Sequence, residues 1–159
     1  MDIKDITEPL LLTSLLILPI SLIYFYKKYY LLAVLLFLNG IASYIYHRKQ
    51  GEKHWDEKSG EKHLDEKLDE KYLNDISYNN AFIFDVVSSC ISFILSVFIA
   101  KNLQTQQKYN LLILVIITFS FYGLNYYYKK YNYHLAWHIF VLLGQLFLAL
   151  NIKSNNKRS

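Results

Sequence analysis

Residues 131–152 read YNYHLAWHIFVLLGQLFLALNI, a run of 22 residues in which aromatic and aliphatic side chains dominate. As an α-helix rising about 1.5 Å per residue, this run is long enough to cross a hydrocarbon core of ~30 Å. Its first half carries His134 and His138, four residues apart, and Gln145 follows seven residues later. At 3.6 residues per turn the three fall along one helix face. The stretch therefore reads as a membrane helix with a single polar stripe, and two imidazoles at one end of that stripe.

The rest of the chain repeats this design. Of its 159 residues, 53% are hydrophobic and 17% aromatic, too apolar for one ordinary water-soluble domain of this length. Apolar runs predict helices over 9–26, 29–47, 81–100, 111–128 and 131–152, hence an all-α, multi-pass transmembrane bundle forming a single domain over 1–159. Tyrosines crowd the run ends (Tyr24, Tyr26, Tyr29, Tyr30, then Tyr126, Tyr127, Tyr128, Tyr131, Tyr133), as interfacial aromatic belts do, and lysines follow them. The first run is not read as a cleavable signal peptide, because its flank MDIKDITE is acidic and no small-residue cleavage site follows. The single cysteine, Cys90, allows no intrachain disulfide and reads as a small buried apolar residue. The formal charge of +4 is dispersed over loops and membrane edges rather than gathered in a patch, which argues against a nucleic-acid partner.

One segment, 48–80, breaks the pattern. It is charged, lacks apolar periodicity and contains a near-duplicate, GEKHWDEKS at 51–59 and GEKHLDEKL at 60–68. Acids and lysines there are spaced for i,i+4 pairing, whereas Gly51 and Gly60 are expected to break a helix once per copy, so a solvated, partly helical loop is predicted. His54 and His63 occupy the same place in each copy and have no thiolate or helical histidine partner, so they read as products of duplication rather than metal ligands. The other connections, 27–28, 101–110 and 129–130, are short and predict antiparallel neighbours.

Polar residues inside apolar helices carry information because a central charge costs roughly 2.5–3.5 kcal/mol to insert. The second helix has Asn39, Ser43 and His47 at i, i+4, i+8, with Gly40 beside them; the third has Asp85, Ser88, Ser92 and Ser96 at i, i+3, i+7, i+11. Serines that pack helices together and bond to the preceding turn account for Ser88, Ser92 and Ser96. They do not account for Asp85 or the histidines. Counting helices from either side of a bilayer places Ser43, His47, Asp85, His134 and His138 in the same leaflet. Three imidazoles and a carboxylate in a low-dielectric setting suggest zinc: His134 and His138 can point two nitrogens at one ion, His47 adds a third, and three protein ligands plus a water is the pattern of a catalytic site. Asp85 would then hold or deprotonate that water, and Ser43, one turn before His47, would donate to a developing oxyanion.

These residues resemble the CREST superfamily of membrane hydrolases, which comprises alkaline ceramidases, progestin and adipoQ receptors and the lipid-remodelling hydrolases of GPI anchors. The pattern is a serine one turn ahead of a histidine late in one helix, an aspartate early in the next, and two histidines separated by three residues in the last. Here they are SYIYH (Ser43, His47), FIFDVV (Asp85) and HLAWH (His134, His138). The resemblance implies a helical bundle, Zn2+ on His47, His134 and His138, catalytic assistance from Ser43 and Asp85, a ceramide-like lipid substrate cleaved at an amide or ester bond, and an endomembrane such as ER or Golgi. The family usually has seven helices. Five preserve the parity that assembles the site, but leave the wall of a lipid pocket incomplete, to be closed by a second copy in a homo-oligomer.

The rival expectation is a membrane receptor, scaffold or assembly protein that keeps the metal as a structural staple. A proton or metal-ion transporter fits less well, because the polar groups gather in one leaflet. Ten Lys and Arg fall on the N-terminal side against seven on the other, a slight bias toward a cytoplasmic N-terminus. No organelle address is legible in the chain.

Overall fold

The computed structural model describes residues 3–59, 68–128 and 131–154, with side chains placed over 9–49, 79–128 and 132–154. Five α-helices follow in order: α1 Ile3–Tyr26, α2 Tyr30–Ser59, α3 Leu68–Ala100, α4 Thr105–Tyr128 and α5 Tyr131–Asn151. Each contains a stretch long and apolar enough to cross a membrane, Pro9–Tyr26, Tyr30–Lys49, Asn79–Ala100, Thr105–Tyr128 and Asn132–Asn151. The all-α bundle is thus as the apolar runs predict.

Helices α2 and α3 extend well past their apolar stretches into the charged segment. Gly51 does not break α2, contrary to expectation. One glycine costs about 1 kcal/mol relative to alanine, whereas extending an existing helix avoids the cost of nucleation. The connection 60–67, with His63 and Gly60, lies outside the described residues, as does the link 129–130, and the His54 side chain lies outside the described side chains. The link predicted over 101–110 shortens because α4 begins at Thr105. The Gln107 Oε1 accepts from the Gln104 backbone N–H at 3.1 Å, half of a capping box, and Lys108 N–H donates to the Gln104 carbonyl at 3.0 Å.

The α1–α2 turn is a Schellman closure. Tyr29 N–H donates to the Tyr24 carbonyl at 2.9 Å and Lys28 N–H to that of Phe25 at 2.9 Å, with Lys28 left-handed at φ 66°. The Lys27 ammonium donates to the carbonyls of Leu150 (3.0 Å) and Ile152 (2.7 Å), so this turn caps the C-terminus of α5. Around that cap lies the apolar core: Ile17, Ile20 and Tyr24 of α1, Leu32, Ala33 and Leu36 of α2, Leu103 of the third link, and Leu148, Ala149 and Ile152 at the end of α5.

Helices α1–α2 and α4–α5 are antiparallel neighbours, as their short links predict. Helix α3 instead takes α2 as its main partner, meeting α4 through Phe93 and Phe119 with ring centroids 5.7 Å apart. The reason lies in its buried face. Among the described residues of α3 the buried ones are Ser88, Ser92 and Ser96, while Ile83, Val87, Ile94 and Phe98 point outward, and α4 buries no residue at all. That distribution inverts a water-soluble domain, in which large apolar side chains fill the interior. Polar groups inside follow their partners: Ser88 meets Asn39 of α2 and Ser96 meets Gln145 of α5, while among the described residues the Ser92 hydroxyl meets none.

Candidate metal centre

At the end of the bundle where α2 leaves its apolar stretch and α5 begins, three imidazoles meet. His47 is 1% exposed, and His134 and His138 are half-buried. The His138 Nε2 lies 3.2 Å from the His47 Nε2 and 3.2 Å from the His134 Nε2. One ligand nitrogen from each ring falls within 4.8 Å of the others. Helical periodicity produces half of this arrangement, since His134 and His138 are one turn apart. The other half is tertiary: α2 must bring His47 to α5.

The donor set suits a cation better than it suits itself. A ring nitrogen carries either one N–H or one in-plane lone pair, so the His138 Nε2 can direct a hydrogen bond at one of its two neighbours. The second 3.2 Å contact then shares the same proton or lone pair in a weaker, bifurcated arrangement. Two nitrogens on a tetrahedral zinc at about 2.0–2.1 Å stand about 3.3–3.4 Å apart, close to the spacing of both pairs. With two pairs at that spacing and all three within 4.8 Å, the rings fit a shared ion when each turns a lone pair inward.

Aromatic rings hold the histidines from the side. Trp137 packs against both His134 and His138 (centroids 5.5 and 4.9 Å) and against Tyr122 of α4 (5.3 Å), while Tyr46 flanks His47 at 5.0 Å. Asn125 of α4 places its amide nitrogen 3.2 Å from the His134 Nδ1.

Ser43 and Asp85 are each held by a neighbour. The Ser14 Oγ of α1 lies 3.0 Å from the Ser43 Oγ; because the single Ser14 proton goes to the Leu10 carbonyl at 2.9 Å, which can only accept, Ser43 is the donor in this contact. The Asn39 amide donates to the Asp85 Oδ1 at 2.9 Å and lies 3.0 and 2.8 Å from the hydroxyls of Ser88 and Ser89. Asn39 precedes His47 by eight residues, about 12 Å of helix rise, so Asp85 joins α2 at a different level from the three imidazoles. Its carboxylate is outside the nitrogen cluster. The structure therefore brings together His47, His134 and His138, sets Ser43 one turn away on the same face, and places Asp85 against Asn39.

The third stripe closes deeper in the bundle. The Gln145 amide nitrogen donates to the Ser96 Oγ at 3.1 Å while the Ser96 proton goes to the Ser92 carbonyl at 2.7 Å, and the buried Tyr24 hydroxyl lies 3.1 Å from both the Gln145 Oε1 and its backbone carbonyl. The polar stripes of α2, α3 and α5 thus meet inside, as their periodicity predicts. The roles of Asn125 and Ser14 escaped the sequence reading because neither has a polar residue four positions away within its apolar run to mark a stripe, and Tyr24 was read only as part of the interfacial belt. The chain matches no family model, no curated protein and no solved structure.

Proposed function

We propose that this chain is a multi-pass integral-membrane hydrolase that holds zinc on His47, His134 and His138 and cleaves a lipid amide or ester bond, with ceramide-like lipids as the leading substrates. The observation that carries the metal is the double contact of the His138 Nε2, at 3.2 Å to each neighbouring imidazole nitrogen, which one proton or lone pair serves only as a weak bifurcated bond and one cation would serve by direct coordination. A zinc ion bound there supplies a Lewis acid that activates water near neutral pH and polarises a carbonyl. The residues of the chain do the rest. Asn39 holds the Asp85 carboxylate as the proton acceptor, and Ser14 accepts from Ser43 at 3.0 Å, parking the Ser43 hydroxyl one turn from His47, where it would turn to donate to charge developing on a carbonyl oxygen. The exposed Leu, Ile, Phe and Val side chains on α3 and α4 support a lipid surround and a substrate that arrives from the bilayer. The substrate class rests on the resemblance of SYIYH, FIFDVV and HLAWH to the CREST pattern.

Metal analysis of detergent-purified protein, paired with product analysis on labelled ceramide, tests the proposal. His134→Ala and His138→Ala should each abolish both zinc content and hydrolysis. Stoichiometric zinc in the double variant would sink the ligand assignment.

A second reading, a membrane receptor or scaffold stapled by the same zinc, is favoured by one observation: Asp85 is held against Asn39 rather than among the imidazoles. Asp85→Asn separates the two. A catalytic site keeps its zinc and loses turnover. A staple keeps its zinc and shows no turnover in the parent protein across a broad lipid panel.

A further inference from the structure

We infer that Asn125 of α4 is a positioning residue, which holds the His134 ring in the tautomer whose Nε2 lone pair faces His138. The inference rests on the zinc reading, because that reading needs the Asn125 amide turned so that its oxygen, rather than its nitrogen, faces the His134 Nδ1. The side chain of Asn125 reaches the His134 Nδ1 at 3.2 Å, while the Nε2 of the same ring lies 3.2 Å from the His138 Nε2. A neutral imidazole has one N–H and one lone pair, and the partner of one nitrogen dictates the role of the other. For the Nε2 to offer a lone pair to an ion, the Nδ1 must carry the proton and needs an acceptor. The amide of Asn125 supplies one, since rotating its terminal group by 180° exchanges nitrogen for oxygen with no change of backbone.

The placement on α4 supports a dedicated role. Thr118 and Ser120, the other polar residues in the middle of that helix, bond back to the carbonyls of Leu114 and Ile116, as lone hydroxyls in apolar helices do. Asn125 bonds across to α5 instead. Tyr122, three residues earlier on the same face, packs on Trp137, whose ring lies against both histidines. One face of α4 therefore presents an aromatic brace and an amide to the α5 pair. Acceptors on the remote nitrogen of a ligating histidine fix ring and tautomer, and losing one typically costs 10–100-fold in metal affinity.

The test has two readouts on full-length protein in detergent. The first is the 15N and long-range 1H–15N spectrum of the histidines without metal, which distinguishes Nδ1–H from Nε2–H tautomers. The parent should show His134 as Nδ1–H, Asn125→Leu should lose that preference, and Asn125→Asp, which can only accept when ionised, should restore it. The second is zinc affinity by chelator competition, in which Asn125→Leu should bind 10–100-fold more weakly at unchanged stoichiometry and Asn125→Asp should recover most of the loss. An Nε2–H tautomer in the parent, or a tautomer indifferent to Asn125→Leu, overturns the inference. A parent that shows the Nδ1–H tautomer and binds no zinc would leave Asn125's role standing and remove the metal reading instead.

Discussion

At Gly40 α2 packs closely on α1, and Gly40→Ala tests whether that approach sets up the site. A Cβ at position 40 would collide with the Ile17 γ-methyl and lie 3.1 Å from both the Leu18 Cδ2 and the Ser14 carbonyl oxygen. Carbon atoms prefer about 3.5–4.0 Å, Ile17 is β-branched and stiff at χ1, and a backbone carbonyl cannot swing aside. The helices must part by about 0.5 Å or more, which forfeits roughly a quarter or more of each contact well along the seam. Overpacking of this kind costs about 1–3 kcal/mol, a factor of roughly 5–150 in the folding equilibrium. The Ser14–Ser43 bond, now 3.0 Å, would stretch to about 3.5 Å, beyond ordinary hydrogen-bond length. The helix-propensity gain of alanine does little to offset this, because the segment is already helical in a lipid or detergent environment. The assay is reversible unfolding in mixed micelles, with Gly123→Ala and Gly144→Ala as controls, since a Cβ at either meets nothing within 4 Å. If Gly40→Ala unfolds with the same free energy as the two controls, the close approach of α1 and α2 is not what positions Ser43.

Lys28→Gly should stabilise the protein by about 1 kcal/mol in the same assay, because Lys28 sits left-handed at φ 66° in an exposed turn where an L-residue is strained and glycine is not. Gln145→Leu should cost less than about 1 kcal/mol despite removing the centre of a polar cluster. Tyr24 keeps the residue-145 carbonyl at 3.1 Å and Ser96 keeps the Ser92 carbonyl at 2.7 Å, and interhelical side-chain bonds in membranes average about 0.6 kcal/mol. A loss above about 2 kcal/mol would show that the amide does more than bridge.

Much of the site was legible before any coordinates, and the reason is periodicity. His134 and His138 share a face because four residues nearly complete a turn, and Ser43 and His47 share one for the same reason. Parity of helix crossings then puts α2's end and α5's start at one side of the bundle. Asp85 is different. Its place early in α3 is readable, but whether its carboxylate meets the histidines or Asn39 depends on the axial register of α3 against α2. No periodicity encodes that register; it is set by Asn39 meeting Asp85, Ser88 and Ser89 at once. Gly51 shows the limit from the other direction: a local propensity of about 1 kcal/mol yields to a helix already under way.

The sequence by itself determined five apolar helices, their order and polar stripes, and the end of the bundle at which the three histidines fall. All of these follow from the length and the 3.6-residue period of single segments. Tertiary structure alone decided that α3 packs chiefly on α2, that Ser14 holds Ser43 and that α4 turns Asn125 toward His134. A lone polar residue in an apolar helix has no periodic partner to announce its direction. What orients it is the hydrogen bond it must find once water is gone, and that partner lies on another helix.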